Sequence, residues 1–319
     1  VLEITDARSI INIERLLQQA EQEQAARHAA QEREKAGDLR AGNSGVLTPD
    51  GEICGHCHRI TYARLLGIEP PLADEDMTET QKRKFFQNGI ANEWTWMGLL
   101  GEMWDKDCIL SESQVPVSWV IRDSQGRDVK VTGRPDIVLV HEGTRTNLVG
   151  LELKCISSAW RAGQILEKGL PSSDYLCQTA HYSWQLGIPF ILSFSAYSSY
   201  FKIKPDRRHF YTGWSRGSLY FINSGGDKVP TCITPDGIKN FYELIIAMAE
   251  QRDLGPMFCG HTLDNKGNVK YKAPPSVYPG SGDYASCTKC PFRGACERYG
   301  TNHDAWVDAI TEVSRGNSV

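Results

Sequence analysis

Gly133-Arg134-Pro135-Asp136, Glu152-Leu153-Lys154 and Gln178-x-x-x-Tyr182 are the three pieces around which the rest of the chain can be read. Asp136 opens an apolar run, Ile137-Val138-Leu139-Val140, with the character of a strand. The polar segment from His141 to Asn147 turns the chain, and a second strand follows from Leu148 to Lys154. Side chains alternate between faces along a strand, so Glu152 and Lys154 share one side while Leu151 and Leu153 point to the core. If the two runs pair as neighbours, Asp136 comes to lie beside Glu152 and Lys154. Behind this hairpin, Ser172-Ser173-Asp174 offers N-caps for a helix running to about Leu186, ahead of Gly187 and Pro189. Gln178 and Tyr182 stand four apart and share a face of that helix.

Two carboxylates and a lysine at one sheet edge suit a divalent metal. Mg²⁺ is a hard cation that takes oxygen ligands and keeps several waters. It can bind a phosphate oxygen, lower the pKa of a bound water and stabilise charge on a leaving oxygen. Lys154 could hold or help deprotonate that water, or stabilise the charge that develops. An exposed hairpin with ordinary surface charges would also account for an isolated Asp and Glu-x-Lys. The helix carrying Gln178 and Tyr182 tips the balance toward a site.

The chain has 319 residues, enough for one large domain or two small ones with a real core. Its 40% hydrophobic and 23% charged content is that of a globular protein. No apolar run approaches the roughly 20 residues of a membrane span. No secretory leader is visible, so an intracellular location is expected: cytoplasm, nucleoid or a virus-infected cell. The net charge of −4 argues against a protein that coats polyanions at large. It leaves room for a basic groove, for which Lys202, Lys204, Arg207 and Arg208 are candidates, although a solvated loop explains the same run. There is no Gly-x-x-x-x-Gly-Lys-Ser/Thr loop for a nucleotide, so helicase activity has no support within this chain, and there is no Gly-x-Ser-x-Gly elbow.

Residues 9 to 36 read as a long helix whose first half carries an apolar stripe of Ile10, Ile11, Ile13, Leu16 and Leu17. It forms an arm that docks at its start or binds a partner. The segment from Gly37 to Gly51 reads as a linker, which divides the chain into an arm (1–42), a main domain (43–300) and a tail (301–319). Ten cysteines without a secretory signal point to metal binding rather than disulfides. Cys54-Gly-His-Cys57 stands at one end of the main domain and Cys287-x-x-Cys290-x₅-Cys296 at the other. Cys54, Cys57, Cys287 and Cys290 could form a tetrahedral zinc site, which leaves Cys296 unused. Alternatively one N-terminal cysteine joins Cys287, Cys290 and Cys296 around a four-iron four-sulfur cluster, which needs four thiolates. Either would clasp residues far apart in sequence.

Phe85-Phe86-x-x-Gly89-x-x-x-Glu93 opens a mostly apolar helix with Trp94, Trp96, Met97, Leu99 and Leu100. A glutamate in such a segment is seldom buried unpaired, and a metal site would pair Glu93. Val115 to Val120 and Asp128 to Thr132 are predicted strands, leading into the site hairpin as a meander. Phe190 to Tyr200, His209 to Thr212 and Leu219 to Asn223 are predicted strands too, followed by a helix from Asp236 to Asp253.

In order and spacing, Asp136, Glu152-x-Lys154 and Gln178-x-x-x-Tyr182 resemble the PD-(D/E)XK nucleases. The Gln-x-x-x-Tyr element is similar to that of the RecB-like branch, with the AddB nuclease domain, lambda-type exonucleases and CRISPR adaptation nucleases. AddB and the adaptation nucleases also carry one cysteine before the core and three after it. Their first cysteine precedes a basic residue and an aromatic-Leu-Gly helix, which Cys57-His58-Arg59 with Tyr62 and Leu66-Gly67 matches better than Cys54 does; His58 stands where the family often has Pro. Glu93 matches the position four after a Gly that ligates metal, with Glu as in lambda-type enzymes where the adaptation nucleases have His.

The resemblance covers roughly residues 54–298. It implies an α/β restriction-endonuclease-like core, a mixed central sheet flanked by helices, with the N-terminal helical arm and an iron–sulfur clasp. It implies a DNA nuclease, an exonuclease acting on ends in recombination, repair or viral DNA processing, with a recombination or helicase partner. Glu93, Asp136, Glu152 and the Leu153 carbonyl would hold one or two Mg²⁺ or Mn²⁺ ions. Lys154 would position water, and Gln178 and Tyr182 would contact DNA or order the site. Cys57, Cys287, Cys290 and Cys296 would hold the cluster, with Cys54 as substitute and zinc as the alternative metal. The competing expectation is a nuclease fold that grips DNA or a recombination partner without cutting.

Overall fold

The structure is a computed structural model that describes residues 39–71, 95–96, 109–113, 115–156, 159–196, 207–255, 261–263, 269–271, 275–279 and 290–315. The expected helix at 9–36, Glu93, Cys287, Lys202 and Lys204 lie outside the described residues.

The segment expected to be a linker is instead core. It holds strand β1 (Leu39–Arg40), a 3-10 turn (Ala41–Asn43), strand β2 (Gly45–Leu47) and strand β3 (Ile53–Gly55), which pairs antiparallel with β2. Leu39, Ala41 and Val46 are fully buried. The small residues that suggested a solvated linker serve close packing. A Cβ on Gly45 would stand 2.5 Å from the Phe241 ring. Helix α1 (His58–Leu65) follows, with Cys57 at its N-cap.

Strands β4 (Ile109–Ser113), β5 (Val117–Arg122), β6 (Asp128–Gly133), β7 (Ile137–His141) and β8 (Asn147–Ile156) come next. The β5–β6 hairpin turns at Asp123–Gly126 as expected, but it does not continue into the site hairpin. It forms a separate three-stranded sheet, with β1 parallel to β6. The place beside β7 is taken by β4, a strand the sequence reading did not identify. Helix α2 (Ala159–Ala162) runs on as a π-helical turn (Gly163–Glu167), then come helix α3 (Ser173–Leu186) and strands β9 (Phe190–Ala196), β10 (Arg207–Ser215), β11 (Ser218–Ile222) and β12 (Lys228–Pro230).

The main sheet has the order β12-β11-β10-β9-β8-β7-β4. Its pairs are antiparallel except β8 with β9, which α3 connects as a crossover. The fold is thus mixed α/β, with a mixed sheet and packed helices. Both faces at its centre are covered. Ile137, Leu139 and Leu151 pack with Leu153, Ile191 and Trp96 on one side. On the other side lie Glu152, Lys154 and the buried Leu192 and Phe194, register partners across β8 and β9.

Helix α4 (Pro235–Gln251) is capped by Thr234, whose hydroxyl accepts the Gly237 amide at 2.9 Å. It buries Ile238, Phe241, Tyr242 and Ile245 completely. Helices α5 (Arg293–Tyr299) and α6 (His303–Ser314) end the described chain. In the region expected as a tail, Trp306 on α6 is fully buried and stacks on Tyr62 of α1 with centroids 6.1 Å apart. Truncating such a tryptophan costs about 3–5 kcal/mol. Among the described residues no helix is long and apolar enough to cross a membrane.

Candidate active site

Pairing of β7 with β8 sets Ile137 opposite Leu151. One step further along, Asp136 leaves β7 and its carboxylate turns back to the partner strand, where Oδ2 accepts the Leu153 amide at 2.6 Å. In a strand the N–H and C=O of one residue project to the same edge. The Leu153 carbonyl therefore shares the edge that Asp136 occupies.

Glu152 is only 1% exposed, because α3 covers its face of the sheet. A buried carboxylate is costly unless it is paired and hydrogen-bonded. Its Oε1 accepts from the Lys154 ammonium at 2.7 Å and from the Gln178 amide at 2.8 Å. The second N–H of the same Gln178 amide reaches the Tyr182 hydroxyl at 3.2 Å. Burial and then the Glu152 charge raise the Tyr182 pKa. Burial alone would lower the Lys154 pKa, but Glu152 and Asp136 outweigh it and hold the ammonium charged. The five residues singled out from the sequence thus meet, and the described pieces leave Glu93 aside because it lies outside them.

Two neighbours were missed. The Lys154 ammonium sits 5.1 Å from the centre of the Tyr175 ring, and the Tyr175 hydroxyl accepts from Arg161 at 3.0 Å. Tyr175 precedes Gln178 by three and Tyr182 by seven, so helical spacing on α3 was a signal that could have found it. Arg161 offered none, since α2 reaches the site only through the fold. Gly133 opens the space for Tyr182: a Cβ there would stand 2.6 Å from the tyrosine ring and 2.6 Å from Ala41 Cβ. Of the candidate groove residues, Arg207 stacks 5.7 Å from the Trp96 ring, on the sheet face opposite Glu152.

The donors Asp136, Glu152 and the Leu153 carbonyl are all oxygen, the chemistry that Mg²⁺ or Mn²⁺ requires. In chemistry this set fits a hard divalent ion, and burial of Glu152 keeps the pair in a low dielectric.

The cysteines fall into two groups. Cys57 is flanked by Cys290 and Cys296, which together with burial push its thiol pKa up. The Cys296 sulfur accepts the Trp306 indole N–H at 3.3 Å. Arg59 is 3% exposed and donates to the carbonyls of Leu254, Gly255 and Gly300. Cys54 belongs elsewhere. It neighbours Cys232 and Cys177. Among the described residues, no three His, Cys, Asp or Glu side chains stand in an arrangement that could hold a metal ion.

No protein-family model matches the chain, and no curated protein matches it. Among solved structures, one titled "Crystal structure of SSO0001" is similar over 54% of this chain and 67% of its own, at 17% identity and a TM-score of 0.27. A likeness of that size carries no argument about fold or function.

Proposed function

We propose that the chain is a metal-dependent DNA nuclease on a PD-(D/E)XK core, hydrolysing phosphodiesters with one or two Mg²⁺ or Mn²⁺ ions, and that it is an exonuclease on DNA ends. The observation that carries this reading is the meeting of Asp136, Glu152 and Lys154 with Gln178 and Tyr182 about one buried carboxylate. Surface charges on an ordinary hairpin have no reason to be enclosed in this way.

Asp136, Glu152 and the Leu153 carbonyl would hold the ion, joined by Glu93. A bound ion supplies Lewis-acid stabilisation of phosphate oxygens and a water acidic enough to attack near neutral pH. The chain's own residues do the rest. Lys154 presents a cation beside the ligands, aimed to orient water and to offset the negative charge that builds on phosphorus. Gln178 fixes Glu152 in one rotamer and hands its second N–H to Tyr182. Cys57, Cys290 and Cys296, with Cys287, would hold an iron–sulfur cluster that clasps α1 to α5, a structural role.

The test is a cleavage time course on end-labelled linear and circular DNA, single- and double-stranded, with Mg²⁺, Mn²⁺ or EDTA, on protein purified without oxygen. Metal-dependent loss of linear DNA with circles spared is the expected result. Cut circles would make it an endonuclease. Retention of DNA without cutting, by iron-loaded protein, would overturn the enzyme in favour of a binding module.

A further inference from the structure

Three cysteines that the nuclease reading does not use come together away from Cys57. Cys54 lies on β3 and is 1% exposed. Its thiol neighbours that of Cys232, in the connection between β12 and α4. Cys177 of α3 lies behind them, fully buried, its sulfur 2.5 Å from where a Cβ on Gly55 would stand. Cys232 differs from the other two in access. Among the described residues it is half-buried and lines an open hollow of about 550 Å³ with Pro230, Ser276, Val277 and Tyr278. Its backbone is held by a 2.9 Å hydrogen bond to the Val277 carbonyl.

We propose that Cys232 and Cys54 form a peroxide-sensitive dithiol, in which Cys232 is the accessible nucleophile and Cys54 resolves it into a disulfide. Of two neighbouring thiols, the less buried one carries the charge more readily. The pKa values diverge in that sense: the pairing with Cys54 lowers that of Cys232, while the same pairing and burial raise that of Cys54. A thiolate with solvent access and a neighbouring thiol is the arrangement of redox-sensing cysteines.

The chemistry balances with hydrogen peroxide as oxidant. The Cys232 thiolate attacks one peroxide oxygen and breaks the O–O bond; hydroxide leaves, taking up a proton to become water, and Cys232 becomes a sulfenic acid. The Cys54 sulfur then attacks the Cys232 sulfur, the S–O bond breaks and a second water leaves. Two thiols are oxidised to one disulfide, and one peroxide is reduced to two waters. The bond would tie β3, three residues ahead of Cys57, to the segment entering α4. The inference stands apart from the nuclease assignment.

The test is peptide mapping of the iron-replete full chain after stoichiometric hydrogen peroxide, with thiols alkylated before digestion. The expected product is a Cys54–Cys232 cross-linked peptide, 2 Da lighter than the two thiol peptides and restored by dithiothreitol. In Cys54→Ser, Cys232 should instead be trapped as a sulfenic acid by dimedone, at least tenfold above Cys177. Because the cross-link is read on the wild-type chain, misfolding of a variant leaves it falsifiable. Cys54 and Cys232 both unmodified, or Cys54 bonded to Cys177, overturns the proposal.

Discussion

The Leu153 amide donates to the Asp136 carboxylate at 2.6 Å, at the point where the β7–β8 hairpin begins to part. The bond does two things. It ties the carboxylate to the backbone of β8, and it keeps the N–H of Leu153 on the edge that its own carbonyl also faces. The charge of Asp136 and its role as acceptor are therefore separable. Asp136→Asn keeps an oxygen for the Leu153 amide and removes the charge. Cleavage is expected to fall at least about 10²-fold, the scale of losing one aligned electrostatic group, with the thermal midpoint unchanged. Lys154→Gln is expected to lower cleavage as much and also to melt earlier, because it removes the charge paired with the buried Glu152. Cleavage near the wild-type rate in either variant would falsify the assigned chemistry.

Gln178 gives both of its N–H groups to the site, so Gln178→Ala strips one donor from Glu152 and one from Tyr182. Leaving a buried acceptor short of a donor costs about 1–3 kcal/mol. Urea unfolding of metal-free protein should show that loss, and added Mg²⁺ should reduce it. An unchanged unfolding midpoint would mean that Glu152 does not depend on this contact.

Gly133→Ala places a methyl 2.6 Å from both Tyr182 and Ala41 Cβ. Overpacking of this kind costs about 1–3 kcal/mol and should displace Tyr182. The variant is expected to melt earlier and cleave more slowly. Wild-type stability would show that β6 can shift away from α3 freely.

His181 carries a pH signature. It is fully buried, and burial alone lowers its pKa to about 3 from the usual 6.5. The Trp119 indole donates to Nε2 at 3.3 Å, so Nδ1 carries the proton and donates to the Ser44 hydroxyl at 3.2 Å. Ser44 in turn donates to Tyr242 at 2.7 Å, and Tyr242 to the Arg40 carbonyl at 3.1 Å. A depressed histidine binds fewer protons folded than unfolded. Its contribution is complete above pH 6.5 and lost as pH falls toward 3, by roughly 1.4 kcal/mol per pH unit. Between pH 7.5 and 5.5 the wild type should therefore lose about 1.4 kcal/mol more than His181→Gln in urea titrations. Parallel curves for the two proteins would place the proton elsewhere.

Cys57→Ala and Cys54→Ala separate the two cysteine groups. Iron content is expected to collapse in the first, as in Cys290→Ala, and to persist in the second. Equal loss in both would return Cys54 to the ligand set.

Much of the site was legible before folding, because its signals are local. Alternation on β8 puts Glu152 and Lys154 together, and four-residue spacing on α3 does the same for Gln178 and Tyr182. The strands and helices that carry them fall close to where periodicity and caps predict. What sequence spacing does not encode is which element lies against which. The run from Gly37 to Gly51 has linker composition, yet its small residues let β1 and β2 press against β6 and Phe241. The β5–β6 hairpin has the look of a meander, but β4 occupies the edge of β7. Arg161, the burial of Glu152 and the parting of Cys54 from Cys57 all depend on packing between residues distant along the chain. Periodicity is a property of one segment, so the sequence alone determined the elements and the residues they present. Partner choice is a property of complementary surfaces across the molecule, and only the tertiary structure decided it.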